Sequence, residues 1–243
     1  MQRGVYAAAA GMTAAEQYLD VIAHNLANAS TTGFKREDVS FNEGLLRLMR
    51  DEKGQGPGIG ELGAGPNLQE RMIIWEVGNS IHTGNPLEVA IQNPQGLFAV
   101  QTPTGTSYTR SGSFTLNDQK QLVTRDGYPV LDAQGAPIQF PLQAAKLDIL
   151  EGGQVMADGV QITQIGLFQG EAQRLGNSLF SLNNPTPVEA PRFVARAVEA
   201  SNVNAVEQMI SMIKVHRAFE MSQKSATSQD EATGSLIQSL NQR

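Results

Sequence analysis

The sequence predicts an α+β protein. Helices at both ends form a coiled-coil-like domain, and the middle folds as an antiparallel all-β domain. Three observations predict this fold: heptad patterns at the two ends, short apolar runs between turn residues in the middle, and a glycine-rich stretch that joins the two regions. The predicted boundaries are 1–34 and 198–243 for the discontinuous helical domain, 35–78 for an extended connecting segment, and 79–197 for the β domain.

The N-terminal helix is predicted over residues 5–29, because apolar residues repeat there every seven positions. One column is Val5, Met12, Leu19 and Leu26, and the column three residues later is Ala8, Ala15, Ile22 and Ala29. An ordinary amphipathic helix on a globular core would show a similar stripe. Two such helices, one at each end of the chain, favour pairing with each other or with further copies of the chain.

The C-terminal helix is predicted over residues 204–240, where the same period recurs. Its column is Val198, Ala205, Met212, Phe219 and Ala226, with Leu240 in the same phase. Asn204 and Glu207 have the spacing of a capping pair. Residues 198–203 are therefore either irregular or the first turn of this helix.

Polar residues and a glycine mark the end of the first helix. Asn25 and Asn28 lie one turn apart, so they either set the register between packed helices or belong to a conventional helix C-terminus. Thr31, Thr32 and Gly33 then break the helix, and we expect a left-handed backbone at Gly33 ahead of the aromatic anchor Phe34.

Between Gly54 and Pro66 the chain is crowded with glycine, which predicts a loop. No Gly-Lys-Ser/Thr ending follows, so a phosphate-binding loop is disfavoured. A short helical turn is predicted just before it, at 43–50.

The middle of the chain alternates short apolar runs with turn residues, which favours an antiparallel barrel or sandwich over a βαβ sheet. Strands are predicted at 72–75, 87–91, 97–101, 107–110, 113–116, 121–124, 129–131, 146–150, 154–156, 162–168 and 179–182.

Composition disfavours several classes of function. The net charge is −6 without a Lys/Arg cluster, which disfavours nucleic acid and anionic membranes as partners, and no apolar run is long enough to insert into a membrane. There is no cysteine, and the histidines His24, His82 and His216 do not have the spacing of metal ligands. We therefore expect no catalytic residues, no metal and no cofactor. The heptads run through the region where a signal peptide would be cleaved, so we expect export without one.

Several motifs resemble one family, in order along the chain. They are Asn25–Lys35, Thr83–Ile91, Tyr108–Leu116, Gln121–Thr124, Gly127–Leu131, Gln164–Phe168, Leu175–Phe180, Glu199–Ile210 and Arg217–Met221. Together they resemble the bacterial flagellar rod and hook proteins. The length and the single small β domain are similar to a rod protein of the proximal or distal type.

The resemblance implies a structural subunit of the flagellar basal-body rod, not an enzyme, that polymerises through its terminal helices into a helical torque-transmitting shaft. It implies copies of the chain, other rod and hook proteins, and the flagellar type III export apparatus as partners, in a rod that crosses the periplasm. The residues expected at the assembly interface are Val5, Met12, Leu19, Ile22, Asn25, Leu26, Asn28, Gly33, Phe34, Met209, Met212, Ile213 and Phe219.

Two other interpretations remain open at this point. One is a non-flagellar exported β-domain protein that oligomerises through its end helices. The other is an enzyme with a glycine-rich loop, which would have a deep pocket in the β domain lined by convergent polar groups.

Overall fold

A computed structural model describes residues 2–43, 47–49, 60–62, 66–176 and 178–241. It begins with helix α1 (Gln2–Ala27) and ends with helix α2 (Ala205–Asn241). Between them lie β1 (Glu37–Glu43), β2 (Arg47–Met49), β3 (Gly60–Leu62), β4 (Pro66–Ile73), β5 (Ser80–His82), β6 (Val89–Ile91), β7 (Leu97–Thr102), β8 (Gly105–Thr109), β9 (Phe114–Leu116), β10 (Leu122–Thr124), β11 (Leu147–Ile149), β12 (Gln154–Ala157), β13 (Val160–Gln164), β14 (Leu167–Gly176), β15 (Leu179–Pro187), β16 (Phe193–Ala195) and β17 (Ala197–Glu199). The predicted order of helix, mostly antiparallel β region and helix is confirmed.

The chain forms two compact units. The helical unit comprises the described residues of Met1–Ala27, Glu37–Ile74 and Asn204–Arg243. The β unit comprises Asn28–Arg36 and Trp75–Val203. The residues that follow α1 therefore belong to the β unit, and the chain returns to the helical unit at β1.

Helices α1 and α2 pack against each other in the helical unit. The backbone N–H groups of Val206 and Glu207 donate to Oδ1 of Asn204, at 3.1 and 3.4 Å, and satisfy two donors that a helix N-terminus leaves free. This confirms Asn204 as the cap of α2. No helix among the described residues has both the length and the apolar content of a membrane span.

A two-stranded antiparallel ribbon completes the helical unit. Strand β1 pairs with β4 so that Glu37 lies opposite Ile73, and β2 pairs with β3 so that Arg47 lies opposite Leu62. The predicted helical turn at 43–50 is wrong at residues 47–49, because their backbone groups pair with another strand instead of with each other. Most of the predicted glycine-rich loop lies outside the described residues.

The β unit is built around a small closed barrel in which β7, β8, β15 and β14 pair in that order and β14 closes onto β7. Smaller antiparallel pairs surround it: β6 with β16, β5 with β17, β9 with β10, and β12 between β11 and β13. Phe98 lies in the hydrophobic core, with its ring centroid 5.0 Å from that of Phe114 and 5.9 Å from that of Phe193.

Three predictions in this region are wrong in detail. Residues 129–131 do not form a strand but pair singly, through Pro129, Val130 and Leu131, with three separate partners. The strand predicted at 162–168 is two strands, because the N–H groups of Ile165 and Gly166 donate to Gly153 and Leu131 and redirect the chain. Val198 is buried in β17, so it does not belong to the stripe of α2. The strands β16 and β17 have three residues each, which is too short to show a periodicity in the sequence.

Candidate functional site: the terminal helices and a buried ion cluster

Helices α1 and α2 run antiparallel, as two contacts show. Nδ2 of Asn25 donates to Oε1 of Gln208 at 3.4 Å. A β-carbon added to Gly11 would lie 3.5 Å from Oγ of Ser222. Fourteen residues separate Gly11 from Asn25, and fourteen separate Gln208 from Ser222 in the opposite direction, so the two helices keep one register along this length.

From these two contacts, the seam between the helices is traced through residues spaced alternately by three and four positions. In α1 these are Gly11, Ala14, Tyr18, Val21 and Asn25, and in α2 they are Ala205, Gln208, Met212, Val215, Phe219, Ser222 and Ala226, all of them buried or half-buried. The four α2 residues that the sequence placed seven apart, including Met212 and Phe219, all lie along this seam. Other residues of α1 are buried or half-buried as well, because β1 and β4 also contact this helix.

The predicted column Val5, Met12, Leu19 and Leu26 is offset by one residue from the seam positions Gly11, Tyr18 and Asn25. Met12, Leu19 and Leu26 are half-buried, and Val5 is exposed over 41% of its surface. Ile22, from the neighbouring column, is fully buried. The buried face of α1 is therefore wider than its seam with α2, and β1 and β4 also contact this helix. The predicted interface residues lie on the flank of this face.

Predicted interface residues on α2 also lie on its outer flank. Met209 and Ile213 are 46% and 54% exposed. Val206 and Ile210 are exposed beside them, so one helical stripe of four apolar side chains is uncovered in the subunit.

The two asparagines of the N-terminal motif have different roles. Asn25 is 2% exposed, donates from Nδ2 to the carbonyl oxygen of Glu37 at 2.7 Å and accepts from its N–H at 2.9 Å. With the bond to Gln208, it therefore ties α1 to both α2 and β1. Oδ1 of Asn28 accepts from the hydroxyl of Thr31 at 3.1 Å, which stabilises the turn after the helix.

Gly33 and Phe34 are buried in the β unit. The φ angle of Gly33 is 69°, which confirms the predicted left-handed backbone, and its N–H donates to the carbonyl of Glu199 at 2.7 Å. The guanidinium of Arg174 lies over the rings of Phe34 and Phe180, at 4.6 and 4.9 Å from their centroids.

A cluster of three buried charged side chains holds this part of the β unit together. Oε1 of Glu199 accepts from Nζ of Lys35 at 2.6 Å and from the N–H of Gly78 at 2.8 Å. Oε2 accepts from Nε of Arg110 at 2.6 Å. All three charged side chains are almost inaccessible to solvent. The cluster therefore joins chain segments from the start, the middle and the end of the β unit.

The remaining donors of the cluster bond to backbone carbonyl oxygens. Arg110 donates to the carbonyls of Ile91, Asn93, Pro94 and Gly96, and Lys35 donates to that of Glu76 at 2.6 Å. Burial lowers the pKa of Lys35, the charge of Arg110 lowers it further, and Glu199 opposes both. Burial also lowers the pKa of Arg110 against the effect of Glu199.

Sequence reasoning missed this cluster. Lys35, Arg110 and Glu199 each lie in a family-like motif, but far apart in sequence and with no period that relates them. The only signal was that each is a charged residue among small and apolar neighbours.

The β unit also has a polar cleft of about 420 Å³, lined by hydroxyl-bearing residues and by Asn28, Arg125, Asp126 and Leu179. Its hydroxyls bond to one another or to nearby groups, as in the contact between Thr32 and Ser111 at 3.2 Å. The lining contains one carboxylate and no histidine, so it offers neither a nucleophile with an adjacent base nor a carboxylate pair. Among the described residues, no group of three or more acidic or histidine side chains could hold a metal ion.

The uncovered apolar stripe on α2, together with a β unit whose buried charges bond to one another, is typical of a structural subunit that assembles with other chains. Comparison with known proteins agrees. Three family models match: "Flagella basal body rod protein" at residues 5–35, "Flagellar hook protein FlgE/F/G D1 domain" at 90–157 and "Flagellar basal body rod FlgEFG protein C-terminal" at 194–239.

Curated relatives match over most of their length. The flagellar basal-body rod protein FlgF of Rhizobium meliloti is 34% identical, over 90% of each chain. FlgF of Mesorhizobium japonicum is 35% identical over 97% of this chain and 98% of its own, and the rod protein FlgG of Bacillus subtilis is 30% identical over 98% of both. The chain belongs to the family of flagellar basal-body rod proteins, which confirms the predicted structural rod subunit.

Proposed function

We propose that this rod subunit polymerises through the outer flanks of its terminal helices into a helical shaft that transmits torque. Copies of the chain and other flagellar rod and hook proteins are its neighbours in the shaft. The flagellar type III apparatus exports it, and the rod crosses the periplasm. The subunit acts by packing alone and carries no catalytic site.

The observation that carries the proposal is the apolar stripe on α2. Val206, Met209, Ile210 and Ile213 follow one another at helical spacing, and each exposes about half of its side chain. Burying the exposed half of such a side chain stabilises a contact by about 1 kcal/mol. Four of them lie together on α2, and Val5, Met12 and Leu19 add further apolar surface on α1.

The substitution Ile213→Asp tests the proposal. Because Ile213 lies off the seam between α1 and α2, the variant should fold like the wild type, and thermal melting of the purified chain measures this. A charge at a buried subunit interface should block assembly. Cells that lack their own copy of the protein and carry this variant should be non-motile and should lack complete rods in electron micrographs.

The matched control is Leu142→Asp, at an apolar residue of the β unit that is more exposed than Ile213. Cells with this variant should swim normally. Normal rods with Ile213→Asp, and also with Met209→Asp, would show that the α2 flank is not an assembly surface.

A further inference from the structure

The two terminal helices carry different residues on the faces that point away from their common seam. The outer face of α2 has the apolar stripe Val206, Met209, Ile210 and Ile213, which continues into exposed Lys214 and Arg217. Lys224 extends it, whereas Glu207 and Glu220 are its only acidic residues between positions 205 and 224. This face is therefore apolar at one end and mainly basic further along.

The outer face of α1 complements it. In the middle of the helix its exposed residues are small or acidic: Ala9, Thr13, Glu16, Asp20 and Ala23. Val5 and Tyr6 are exposed near its start, and His24 is exposed near its end. The only Lys or Arg within α1 is Arg3, near its start. Small side chains allow another helix to approach closely, and the carboxylates of Glu16 and Asp20 lie midway along the face.

The exposed charges on both faces are available for a partner. Within the part of the chain that the structure describes, Glu16, Asp20, Lys214 and Arg217 make no ion pair. The nearest pair on α2 joins His216 to Glu220 at 3.5 Å along the helix itself.

Charge decides which faces can meet. Contact between the α1 faces of two copies would bring the carboxylates of Glu16 and Asp20 together, and contact between two α2 faces would bring Lys214 and Arg217 together. Contact between α1 of one copy and α2 of the next places opposite charges side by side. Since both faces point away from the seam, one subunit can use both at once.

We infer that the outer face of α2 in one copy docks onto the outer face of α1 in the next copy. Such a contact is heterologous: each copy presents one face and receives the other, so the contact repeats in an open filament and does not close as a dimer. This inference rests on the proposed assembly through the terminal helices and specifies which surfaces meet.

Charge reversal on each face tests the inference. The acid-face variant is Glu16→Lys with Asp20→Lys, and the base-face variant is Lys214→Glu with Arg217→Glu. In cells without their own copy, each variant alone should reduce complete rods by about tenfold or more, because like charges meet at every contact. Co-expression of both variants should restore rods to within about twofold of the wild-type number, because alternating copies again pair opposite charges.

The control is Glu171→Lys with Glu189→Lys, which makes the same charge change on exposed residues of the β unit and should leave rods unchanged. Thermal melting must show that the face variants fold. Wild-type rod numbers with either face variant alone would overturn the inference while leaving assembly itself intact. Folded variants that fail both alone and together would also overturn it. Failure of the wild-type chain to restore rods would instead contradict the proposed function.

Cross-linking provides a second measurement, because the chain has no cysteine. Cells that co-express Glu16→Cys and Arg217→Cys variants should yield disulfide-linked dimers of the two. Either variant expressed alone should yield few. Equal yields from one variant alone would show that like faces meet.

Discussion

Nζ of Lys35 lies 2.6 Å from Oε1 of Glu199, although 164 residues separate them in the sequence. Both side chains are buried in the β unit, and Arg110 bonds to the other oxygen of the same carboxylate. One carboxylate therefore pairs with two cationic side chains, one through each oxygen. Lys35 follows α1 and Glu199 precedes α2, so this ion pair holds the two segments that connect to the helices within one unit.

The substitution Glu199→Gln should destabilise the β unit strongly. It leaves Lys35 and Arg110 buried without a counter-charge, which should lower the free energy of unfolding by about 3–5 kcal/mol. Urea denaturation measures the change through fluorescence of Trp75, the only tryptophan, whose ring lies 5.5 Å from that of Phe180. The exposed control Glu189→Gln should unfold at the same urea concentration as the wild type. If Glu199→Gln also unfolded at that concentration, the result would contradict the stabilising role of Glu199.

Stability should rise with pH on the alkaline side because of Lys35. Its pKa in the folded state is lowered, first by burial and then by Arg110, while Glu199 opposes this. Between that lowered pKa and about 10.4, the value of an unperturbed lysine, the unfolded chain holds a proton that the folded chain has lost. The unfolded state binds more protons in this window, so raising the pH favours folding.

The measurement compares the wild type with Lys35→Met, in which Arg110 still pairs with Glu199. The free energy of unfolding of the wild type, relative to that of Lys35→Met, should increase as the pH rises towards 10. A shift in the opposite direction would mean that Glu199 raises the pKa of Lys35 above that of the unfolded chain.

Gly33 should tolerate no side chain. Its φ angle is 69°, and a β-carbon there would lie 2.7 Å from backbone atoms of Arg110 and Ser111. Gly33→Ala should cost about 1–2 kcal/mol for the left-handed backbone and a further 1–3 kcal/mol for overpacking. The control Gly135→Ala has a similar φ of 84° with no atom within 4 Å, so only the first cost applies. If urea denaturation gave the same loss of stability for Gly33→Ala and Gly135→Ala, the β unit would have to relax around Gly33.

Asn25 should matter more than other polar residues of α1. Asn25→Ala removes the partners of the N–H and the carbonyl of Glu37 in a buried site, and two unsatisfied groups should cost about 2–4 kcal/mol. Gln17→Ala, at a half-buried residue of the same helix, should cost much less. Hydrogen exchange at the N–H of Glu37 measures the local effect. Unchanged protection there in Asn25→Ala would contradict this role, because the N–H of Glu37 would not depend on the side chain of Asn25.

Local signals in the sequence predicted part of this structure correctly. Asn204 caps α2 as predicted, because a helix N-terminus needs a side-chain acceptor at that position. The column of Met212 and Phe219 lies on the less exposed face of α2, because a period of seven maps to one face of a helix. The backbone of Gly33 is left-handed, as its position after a helix predicted.

The same period was less informative for α1. Apolar and small residues cover more than half of this helix, so a seven-residue repeat can be drawn through several neighbouring columns. The column of Val5, Met12 and Leu19 is regular, yet Ala14 and Val21 are more deeply buried. The choice depends on contacts with α2, about 200 residues away, and with β1 and β4, and no local pattern contains that information.

The sequence by itself determined that both ends are helical, that the middle is β, and which family the chain resembles; α1 runs from Gln2 to Ala27, whereas residues 5–29 were predicted. These properties depend on caps, turns and periods that act over a few residues. The tertiary structure alone decided the face on which α1 meets α2, the residues at which the two compact units divide, and the pairing of Lys35 and Arg110 with Glu199. A buried charge is stable only beside its counter-charge, and folding alone brings residues from three distant segments to one carboxylate.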